Sequence, residues 1–465
     1  MKVTLVYPPA DEVNLKGYPL GLAYLSASLK KRHQVNVLNY CGKPLATSVN
    51  FFLKDLSLQR PDVVGISFNS FNRWGAYCLI RKIKKILKNC KVALGGVHPS
   101  SMYVQLFEHF GDMVDFIIQS EGERSFYELC NALEEKSDFT KISGLAYKDK
   151  QDKIIANSVE VIADLDSLPM PDYSYAQDEI RQNETAYLIT SRGCPVNCVF
   201  CSTSSFWGQN VRMNSPERVL QEVQYAMSMG ARRIFFHDDT FNLGIDRTLK
   251  LAKLLKKENI EYVVQCRVKP VSEEMIEALV DSGCRHITWG AESLSKEILD
   301  KTNKKICREE VKRAFDICVK YSDRLTTGAY FCVGMPGESE ETIRESIDYL
   351  NENIRSTHGP GASMLYILPG TQIYRDLIAQ KKFDEKIWIR TPDVKYYTHE
   401  HDIWTLNRWR KMINRSGIHI PFKGQYIIDL LTTAKDFKEK SIIRRKLKKI
   451  GKKIRRFINM AKRRY

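Results

Sequence analysis

The alternation of short apolar runs with amphipathic stretches is the feature that most constrains the fold of this 465-residue chain. The runs have the length of buried strands, and the stretches between most of them have helical periodicity. The pattern occurs twice. The first series contains VTLVYP, VNVLNY, VVGISF, KVALGG and DFIIQS, and the second contains AYLIT, RIFFHDD, YVVQCRV, HITWGAES, TTGAYFCVG and SMLYILP. Strands that alternate with helices form parallel sheets, so we predict two successive α/β units.

Five segments follow from this pattern and from local composition. Residues 1–145 are predicted to form a parallel, doubly wound sheet, and residues 181–375 a partial (β/α)6, TIM-like barrel. The connecting residues 146–180 contain two closely spaced prolines and several acids, which favours a linker. Residues 376–439 are predicted to be a mainly helical region on the substrate side, and residues 440–465 a basic amphipathic tail.

Small and polar residues follow the strands of the first series. They are Pro8 and Pro9, residues 67–70 (Ser-Phe-Asn-Ser), residues 95–99 (Gly-Gly-Val-His-Pro) and residues 121–123 (Glu-Gly-Glu). Doubly wound sheets bind ligands outside the carboxyl ends of their strands. The sequence contains no G-x-G-x-x-G, which disfavours a nicotinamide or flavin dinucleotide. We therefore predict a different ligand at this edge of the sheet.

Three of the twelve cysteines are clustered in SRGCPVNCVFCS, directly after the first strand of the second series. Cys194, Cys198 and Cys201 have the spacing C-x3-C-x2-C, so each thiolate can bind one iron of a cubane cluster. The run has no fourth cysteine, which leaves one iron open for a small molecule. The alternatives are a zinc site without its fourth ligand and a chance cluster. The other nine cysteines are dispersed and are interpreted as small buried hydrophobes.

This motif, with Phe200 just before the last cysteine, resembles that of the radical S-adenosylmethionine superfamily. The resemblance implies a 4Fe–4S cluster whose open iron binds S-adenosylmethionine (SAM), and one-electron cleavage of SAM to methionine and a 5′-deoxyadenosyl radical. It also implies SAM contacts along the barrel, at Phe200, Asp238, Asp239, Glu292, Ser293, Gly334, Pro336, Gly337, Pro369 and Gly370. A strand-end carboxylate such as Glu292 or Asp238 can accept hydrogen bonds from ribose hydroxyls or an ammonium group. The alternative is the ordinary chemistry of βα turns, which are rich in glycine, proline and acids.

The first unit resembles the Rossmann-like (flavodoxin-like) cobalamin-binding domain that precedes this barrel in one large subclass. The matching sequences are YPPADEVNLKGYPLGLAYLSASL, PDVVGISF, ALGGVHPS and SEGERSF. The resemblance implies cobalamin contacts at Pro9, Ser67, Asn69, Gly95, Gly96, His98 and Glu121. No histidine lies in a D-x-H-x-x-G sequence, so we predict that cobalt has no strong protein imidazole ligand. His98 either faces the corrin or is an ordinary loop histidine.

Together the two resemblances imply an enzyme that methylates an unactivated carbon with the 5′-deoxyadenosyl radical and methylcobalamin, supplied with electrons by a donor such as flavodoxin or ferredoxin. Some relatives use the same cofactors for radical cyclisation, ring contraction or oxidation, and the sequence leaves these outcomes open. A transfer RNA methylthiotransferase shares the barrel but carries a second cluster, for which the N-terminal cysteines have no matching spacing. A non-enzymatic cobalamin carrier would leave the cysteine loop without a role.

The tail of residues 440–465 carries thirteen basic residues and no acid. Its apolar residues recur at steps of three and four, which predicts a cationic amphipathic helix. They are Ile443, Leu447, Ile450, Ile454, Phe457 and Ala461. Such a helix fits an anionic membrane surface or the protein's own barrel, and nucleic acid is disfavoured. The substrate is then a small molecule, or a lipid-like one if the tail lies on a membrane. The sequence shows no signal peptide or spanning segment, so we predict a cytoplasmic protein, peripheral on the inner face of the membrane if the tail binds there.

Overall fold

The computed structural model describes residues 1–10 and 17–419. The predicted basic tail, residues 420–439 of the predicted C-terminal region and residues 11–16 lie outside these ranges. The described chain forms two α/β units in succession, as the sequence predicts.

The first unit is built on a seven-stranded sheet. Its strands are β1 (Lys2–Tyr7), β2 (Gln34–Asn39), β3 (Val63–Ser67), β4 (Lys91–Gly95), β5 (Phe116–Ile118), β6 (Leu145–Lys148) and β7 (Ile154–Ala156). The strand order is β2-β1-β3-β4-β5-β6-β7, and β1 to β5 are parallel. These five are the strands predicted from the sequence, while β6 and β7, which pair antiparallel, are additional strands that the sequence did not predict. Residues 149–153 between these strands form a tight turn, and only antiparallel neighbours can be joined so briefly.

Successive side chains of the central strands face two different helical layers. The helices are α1 (Leu20–Leu29), α2 (Leu45–Gln59), α3 (Arg73–Ile86), α4 (Val97–Phe110) and α5 (Glu123–Glu135). Val3 and Leu5 pack with buried residues of α1 and α5. Val6 and Ile66 pack with α2, α3 and α4 on the other face. The sheet is therefore covered on both sides, as expected for a doubly wound fold.

The described part of the second unit has ten strands, and six of them form the half-barrel. Its strands are β8 (Thr185–Leu188), β9 (Ser191–Arg192), β10 (Arg212–Met213), β11 (Arg233–Phe236), β12 (Glu261–Arg267), β13 (Cys284–Glu292), β14 (Thr326–Val333), β15 (Arg355–Ser356), β16 (Gly361–Met364) and β17 (Ile418–His419). β8, β11, β12, β13, β14 and β16 form one parallel sheet in that order. Each contains or overlaps one of the six runs predicted as strands, which confirms the partial barrel. The short strands form two separate pairs, β9 with β10 and β15 with β17.

The helices of the second unit pack on the half-barrel or against the first unit. They are α6 (Gln177–Asn183), α7 (Thr203–Trp207), α8 (Pro216–Ser228), α9 (Ile245–Leu255), α10 (Glu273–Asp281), α11 (Lys296–Lys301), α12 (Arg308–Val319), α13 (Glu340–Asn353), α14 (Gln372–Ala379), α15 (Ile387–Arg390) and α16 (Ile403–Ile413). None of the helices in the described part of the chain is long and apolar enough to cross a membrane. The predicted domain boundaries stay predictions.

The C-terminal region packs back on the first unit through a buried arginine. The guanidinium of Arg73 donates hydrogen bonds to the carbonyl oxygens of Trp388, Thr391 and Asp393 at 3.0, 2.8 and 2.7 Å. It also lies 4.6 Å from the centroid of the Trp388 ring. These carbonyls lie in α15 or just after it. The Arg73 guanidinium on α3 therefore donates hydrogen bonds to carbonyl groups at the carboxyl end of that short helix.

Candidate functional site

The cysteine loop begins after β9 and is held in shape by backbone contacts. Gly193 has a φ of 97°, and a Cβ there would lie 2.5 Å from the carbonyl oxygen of Asn210, so only glycine fits. Farther along, the amide of Val199 donates to the carbonyl of Thr302 at 3.1 Å. The loop is therefore braced by the segment before β10 and by the segment that follows α11.

The three predicted cluster ligands line one cavity of about 150 Å³ inside the barrel. They are Cys194, Cys198 and Cys201. Three of the predicted SAM residues, Phe200, Asp239 and Glu292, line the same cavity. Asp239 and Glu292 stand at or just after the carboxyl ends of β11 and β13, where parallel barrels place their chemistry.

Burial disfavours the ionised form of two of the thiols. It raises the pKa of Cys198 to about 11, although the nearby cations Lys304 and Arg267 oppose this shift. Burial also raises the pKa of Cys201, whose thiol donates to the Thr203 hydroxyl at 3.3 Å. Because metals bind thiolates, cluster assembly must release these protons.

The arrangement of the three thiols bears on whether they bind a cluster or a single metal ion. In residues 1–10 and 17–419, no three His, Cys, Asp or Glu side chains are arranged to hold one metal ion. A zinc ion needs four ligands that converge on one point. In a cubane each thiolate binds a separate iron, so its sulfurs surround the cluster instead of converging. Three thiols that line one cavity match the cubane requirement of one thiolate for each bound iron.

The cavity also contains a partly buried ion pair, whose cation Lys304 could not be predicted from the sequence. Lys304 Nζ lies 3.1 Å from Glu292 Oε1, and Arg267 Nη2 donates to the Lys304 carbonyl at 3.0 Å. A Cβ on Gly290 would lie 3.1 Å from Lys304 Nζ, so this glycine leaves room for the pair. Glu292 has a φ of 67°, a conformation that non-glycine residues adopt mostly at constrained sites. The sequence signal for this group of charges was the position of Arg267 at the end of a predicted strand.

Two predicted SAM contacts lie elsewhere. Asp238 is 1% exposed, and its carboxylate accepts hydrogen bonds from the Thr190 amide at 3.1 Å and from the hydroxyls of Thr190 and Ser191. Ser293 is buried beside Ser346. Neither residue lines the cysteine cavity, and their contact with SAM stays a prediction. Asp238 instead ties the end of β11 to the segment after β8.

The glycines and prolines predicted after β14 and β16 also lie outside this cavity. They are Gly334, Pro336, Gly337, Pro369 and Gly370. Gly334 has a φ of 86° in the turn after β14. A Cβ on Gly370 would lie 2.5 Å from Ser101 Oγ of the first unit, so this glycine permits close contact between the units. The role of these five residues in binding SAM stays a prediction.

Glu338 predicts a pH dependence of stability. Its buried carboxylate accepts a hydrogen bond from the Gly334 amide at 2.6 Å, yet burial raises its pKa to about 7. A carboxyl group with a higher pKa in the folded state stabilises the fold at low pH, and this contribution is lost as the pH rises through about 7. Relative to Glu338→Gln, we expect the wild-type free energy of unfolding to fall by up to about 3 kcal/mol between about pH 5 and 8. Urea titrations check this, and parallel pH profiles of the two proteins would contradict it.

A second cavity, of about 240 Å³, lies between the first sheet and helices α1 and α5. Five predicted cobalamin residues line it, namely Ser67, Asn69, Gly95, Gly96 and Glu121. Gly95 continues the row of Ala93 on this face of the sheet without a side chain, and a Cβ there would meet only the Ile118 carbonyl, at 3.9 Å, so space remains where the core would otherwise continue. The cavity lies near the carboxyl ends of the strands, beside the reversal in strand order where doubly wound sheets bind ligands.

Helix α7 links the two cavities. Thr203 at its start lines the cysteine cavity, and Phe206 and Trp207 at its end line the second cavity. Ser120 of the first unit donates a hydrogen bond to the carbonyl of Phe206 at 2.6 Å. One short helix, beginning two residues after Cys201, therefore separates the two cavities.

His98 and Pro9 do not line the second cavity, and their contact with cobalamin stays a prediction. His98 is 1% exposed, and its ring nitrogens lie 2.9 Å from the Ser70 hydroxyl and 3.1 Å from the Tyr77 hydroxyl. Burial lowers the pKa of His98 well below its usual range. Pro9 is buried against Gly75, where a Cβ would lie 2.2 Å from the proline carbonyl. Both residues belong to the core.

Comparison with known proteins gives matches in both units. Residues 188–350 match the radical SAM superfamily, and residues 9–130 match the B12 binding domain. An uncharacterized methyltransferase of Pyrococcus horikoshii is 31% identical over 360 residues, which cover 75% of this chain and 77% of that protein. The anaerobic magnesium-protoporphyrin IX monomethyl ester cyclase of Rubrivivax gelatinosus is 25% identical over 364 residues, covering 74% of this chain and 65% of the cyclase.

A solved structure shares the fold. It is TsrM, a radical SAM methyltransferase of Kitasatospora setae with cobalamin and a 4Fe–4S cluster bound, which has a TM-score of 0.68 at 21% identity over 82% of this chain and 75% of TsrM. The thiol-lined cavity fits a cluster with SAM, and the glycine-lined cavity at the switch point of the first sheet fits cobalamin, as the two family matches imply. This chain belongs to the cobalamin-binding radical SAM enzymes, whose cofactors are a 4Fe–4S cluster, SAM and cobalamin.

Proposed function

We propose that this enzyme methylates an unactivated carbon of a small molecule. The placement of α7 supports this proposal most strongly, because it brings the cysteine cavity within one short helix of the second cavity. When bound, the cluster with SAM supplies a 5′-deoxyadenosyl radical, and cobalamin supplies a methyl group. A relative at 31% identity is named a methyltransferase, which favours this outcome.

The residues of the cysteine cavity suit a cluster and SAM. The three thiolates would hold the cluster. Glu292 can accept hydrogen bonds from a ribose hydroxyl or an ammonium group, and Lys304 orients its carboxylate. Gln265 and Thr288 add polar atoms to the same wall. Tyr330 also lines the cavity while its side chain stays 49% exposed, so we assign it to the substrate side.

The second cavity suits part of cobalamin. Its wall is mainly apolar, with Leu5 and Phe126 among the side chains, while Ser67 and Asn69 place polar groups at the strand ends. Gly95 and Gly96 lack side chains, so their backbone can approach a bound ligand closely. No histidine of the described residues lines this cavity.

Replacing Glu292 by glutamine should weaken SAM binding without removing the cluster. The substitution removes the negative charge and leaves Lys304 without its ionic partner, so we expect the Kd for SAM to rise about tenfold or more. Equilibrium binding of SAM to the reconstituted protein measures this. Glu222→Gln is the matched control, because it changes a buried carboxylate that is paired with Arg218 and does not line the cavity. Equal Kd values for Glu292→Gln and the wild type would exclude Glu292 from the SAM site.

The products of SAM separate methylation from the other radical reactions. In this experiment the reconstituted enzyme receives SAM with a deuterated methyl group, a small-molecule extract, and reduced flavodoxin or ferredoxin as the electron donor. The enzyme should then form 5′-deoxyadenosine and S-adenosylhomocysteine together. A metabolite in the extract should gain the labelled methyl group, as seen by mass spectrometry. 5′-Deoxyadenosine without S-adenosylhomocysteine would contradict methylation. It would favour a cyclisation or oxidation, for which the cyclase at 25% identity is the supporting relative.

We further propose that residues 440–465 hold the enzyme on the cytoplasmic face of a membrane. This segment lies outside the described residues, and the proposal is supported by its thirteen basic residues and its apolar periodicity. Deletion of residues 440–465 should abolish binding to anionic liposomes in sedimentation assays, while cluster content stays that of the full chain. Undiminished liposome binding by the truncated chain would refute the proposal. Membrane attachment would favour a lipid-like substrate.

A further inference from the structure

A buried arginine connects the cysteine loop to the first unit. Arg192 stands two residues before Cys194 and is 3% exposed. Its Nη1 donates to Glu121 Oε1 at 2.8 Å, and its Nη2 donates to Glu123 Oε1 at 2.6 Å. Both carboxylates belong to the segment that follows β5, so one guanidinium spans two acids of the other unit.

A second arginine completes the network from the far end of the loop. Arg212 Nη1 donates to both carboxylate oxygens of Glu121, at 2.8 and 2.7 Å. Its Nη2 donates to the carbonyl of Trp207 at 3.1 Å. The backbone amide of Ile162 also donates to Glu121 Oε2 at 2.6 Å. These bonds occupy both oxygens of Glu121, so a structural role suits this residue better than the direct cobalamin contact predicted from the sequence.

The network also touches the second cavity. Glu121, Glu123 and Trp207 line that cavity, and the Arg192 guanidinium lies 4.9 Å from the centroid of the Trp207 ring. Arg192 therefore contacts the wall of the second cavity while its own backbone leads directly into the cysteine loop. A change in its position would displace both.

The energetics favour a geometric role over a stabilising one. Burial alone would lower the pKa of Arg192, but Glu123 and Glu121 outweigh it and raise this pKa, so the cation is fully retained. A buried ion pair seldom stabilises a fold more than apolar side chains of the same size do. A guanidinium whose planar fork donates to two carboxylates fixes their direction and distance more closely than an ammonium group does.

We infer that Arg192 is a positioning residue that sets the distance between the cluster and cobalamin by clamping the cysteine loop to Glu121 and Glu123. This inference rests on the proposed function, because it requires both cofactors in one molecule. Arg192 itself need not touch either cofactor. Its loss should therefore alter the geometry between the cofactors before it alters the amount of cluster bound.

The test compares Arg192→Lys and Arg192→Met with the wild type and with Arg218→Met. Lysine keeps the charge in the buried site, but it is shorter and lacks the planar fork of arginine, so it cannot hold the two carboxylates in the same geometry. Arg218 is the matched control, because it forms a buried pair with Glu222 at 3.0 Å, and Glu222 in turn accepts a hydrogen bond from Tyr24 of the first unit at 2.9 Å. None of these three control residues lines either cavity.

Pulsed electron paramagnetic resonance measures the distance between the reduced cluster and cob(II)alamin in each protein. The wild type and Arg218→Met should give one narrow distribution, and both Arg192 variants a broadened or shifted one, with a Kd for cobalamin raised about tenfold. Iron content should stay near that of the wild type. Unchanged distances and cobalamin affinity in Arg192→Lys, or changes no larger than those of Arg218→Met, would overturn the inference. A wild-type protein that bound no cluster or no corrinoid would instead refute the proposed function.

Discussion

Replacing Cys198 by alanine should abolish the iron–sulfur cluster and all cleavage of SAM. Its thiol is one of three that line the cysteine cavity, and a cubane with two protein ligands is not retained. Loss of an outer partner of a metal ligand already costs about 10–100-fold in affinity or activity, so loss of a ligand should cost more than about a hundredfold. Iron and sulfide analysis and the visible absorption spectrum measure the effect.

Cys266→Ala is the control for this experiment. Cys266 lines the same cavity and is fully buried, but it lies on β12, outside the loop. Its substitution removes a thiol of the same size and should leave the cluster in place. A Cys198→Ala protein with wild-type iron content and colour would show that the cluster is held elsewhere.

Replacing Gly95 by leucine should abolish cobalamin binding while the cluster remains. A Cβ at Gly95 would meet only the Ile118 carbonyl, at 3.9 Å, so the backbone accepts a side chain there without strain. The leucine would point into the second cavity, whose volume is about 240 Å³, and occupy the space proposed for the cofactor. We expect a loss of cobalamin affinity of at least about a hundredfold, or about 3 kcal/mol. Titration with hydroxocobalamin, followed by absorption, measures it.

Gly95→Ala controls for the loss of glycine itself. Its single methyl group fits at ordinary contact distance, so cobalamin binding should stay within about threefold of the wild type. If Gly95→Leu binds cobalamin as well as Gly95→Ala does, the cofactor does not occupy this cavity. A Gly95→Leu protein that lacked the cluster as well would indicate general misfolding instead.

The features that could be predicted from the sequence are those with local signals. The six strands of the half-barrel appear as apolar runs because their side chains are buried on the helix-facing side. The cysteine loop is equally local, since its three thiols lie within eight residues. The position of both sites at strand ends followed from the parallel topology alone.

The features that were missed depend on side-chain direction or on long-range contacts. Asp238 and Asp239 are neighbours in the chain. The Asp238 carboxylate accepts a hydrogen bond from Thr190, whereas Asp239 lines the cysteine cavity. The sequence does not show which way each side chain points after the strand has ended. Arg192 and Glu121 are 71 residues apart and leave no periodic signal. The β6–β7 pair was missed because its strands are only four and three residues long.

The measurement that tests the central claim most directly is the formation of 5′-deoxyadenosine by anaerobically reconstituted wild-type protein given SAM and a strong reductant. We predict that mass spectrometry detects this nucleoside, and that a variant with all three loop cysteines replaced by alanine forms none. A wild-type protein that takes up iron, sulfide and cobalamin but leaves SAM intact would contradict the account. So would a triple variant that forms 5′-deoxyadenosine as the wild type does.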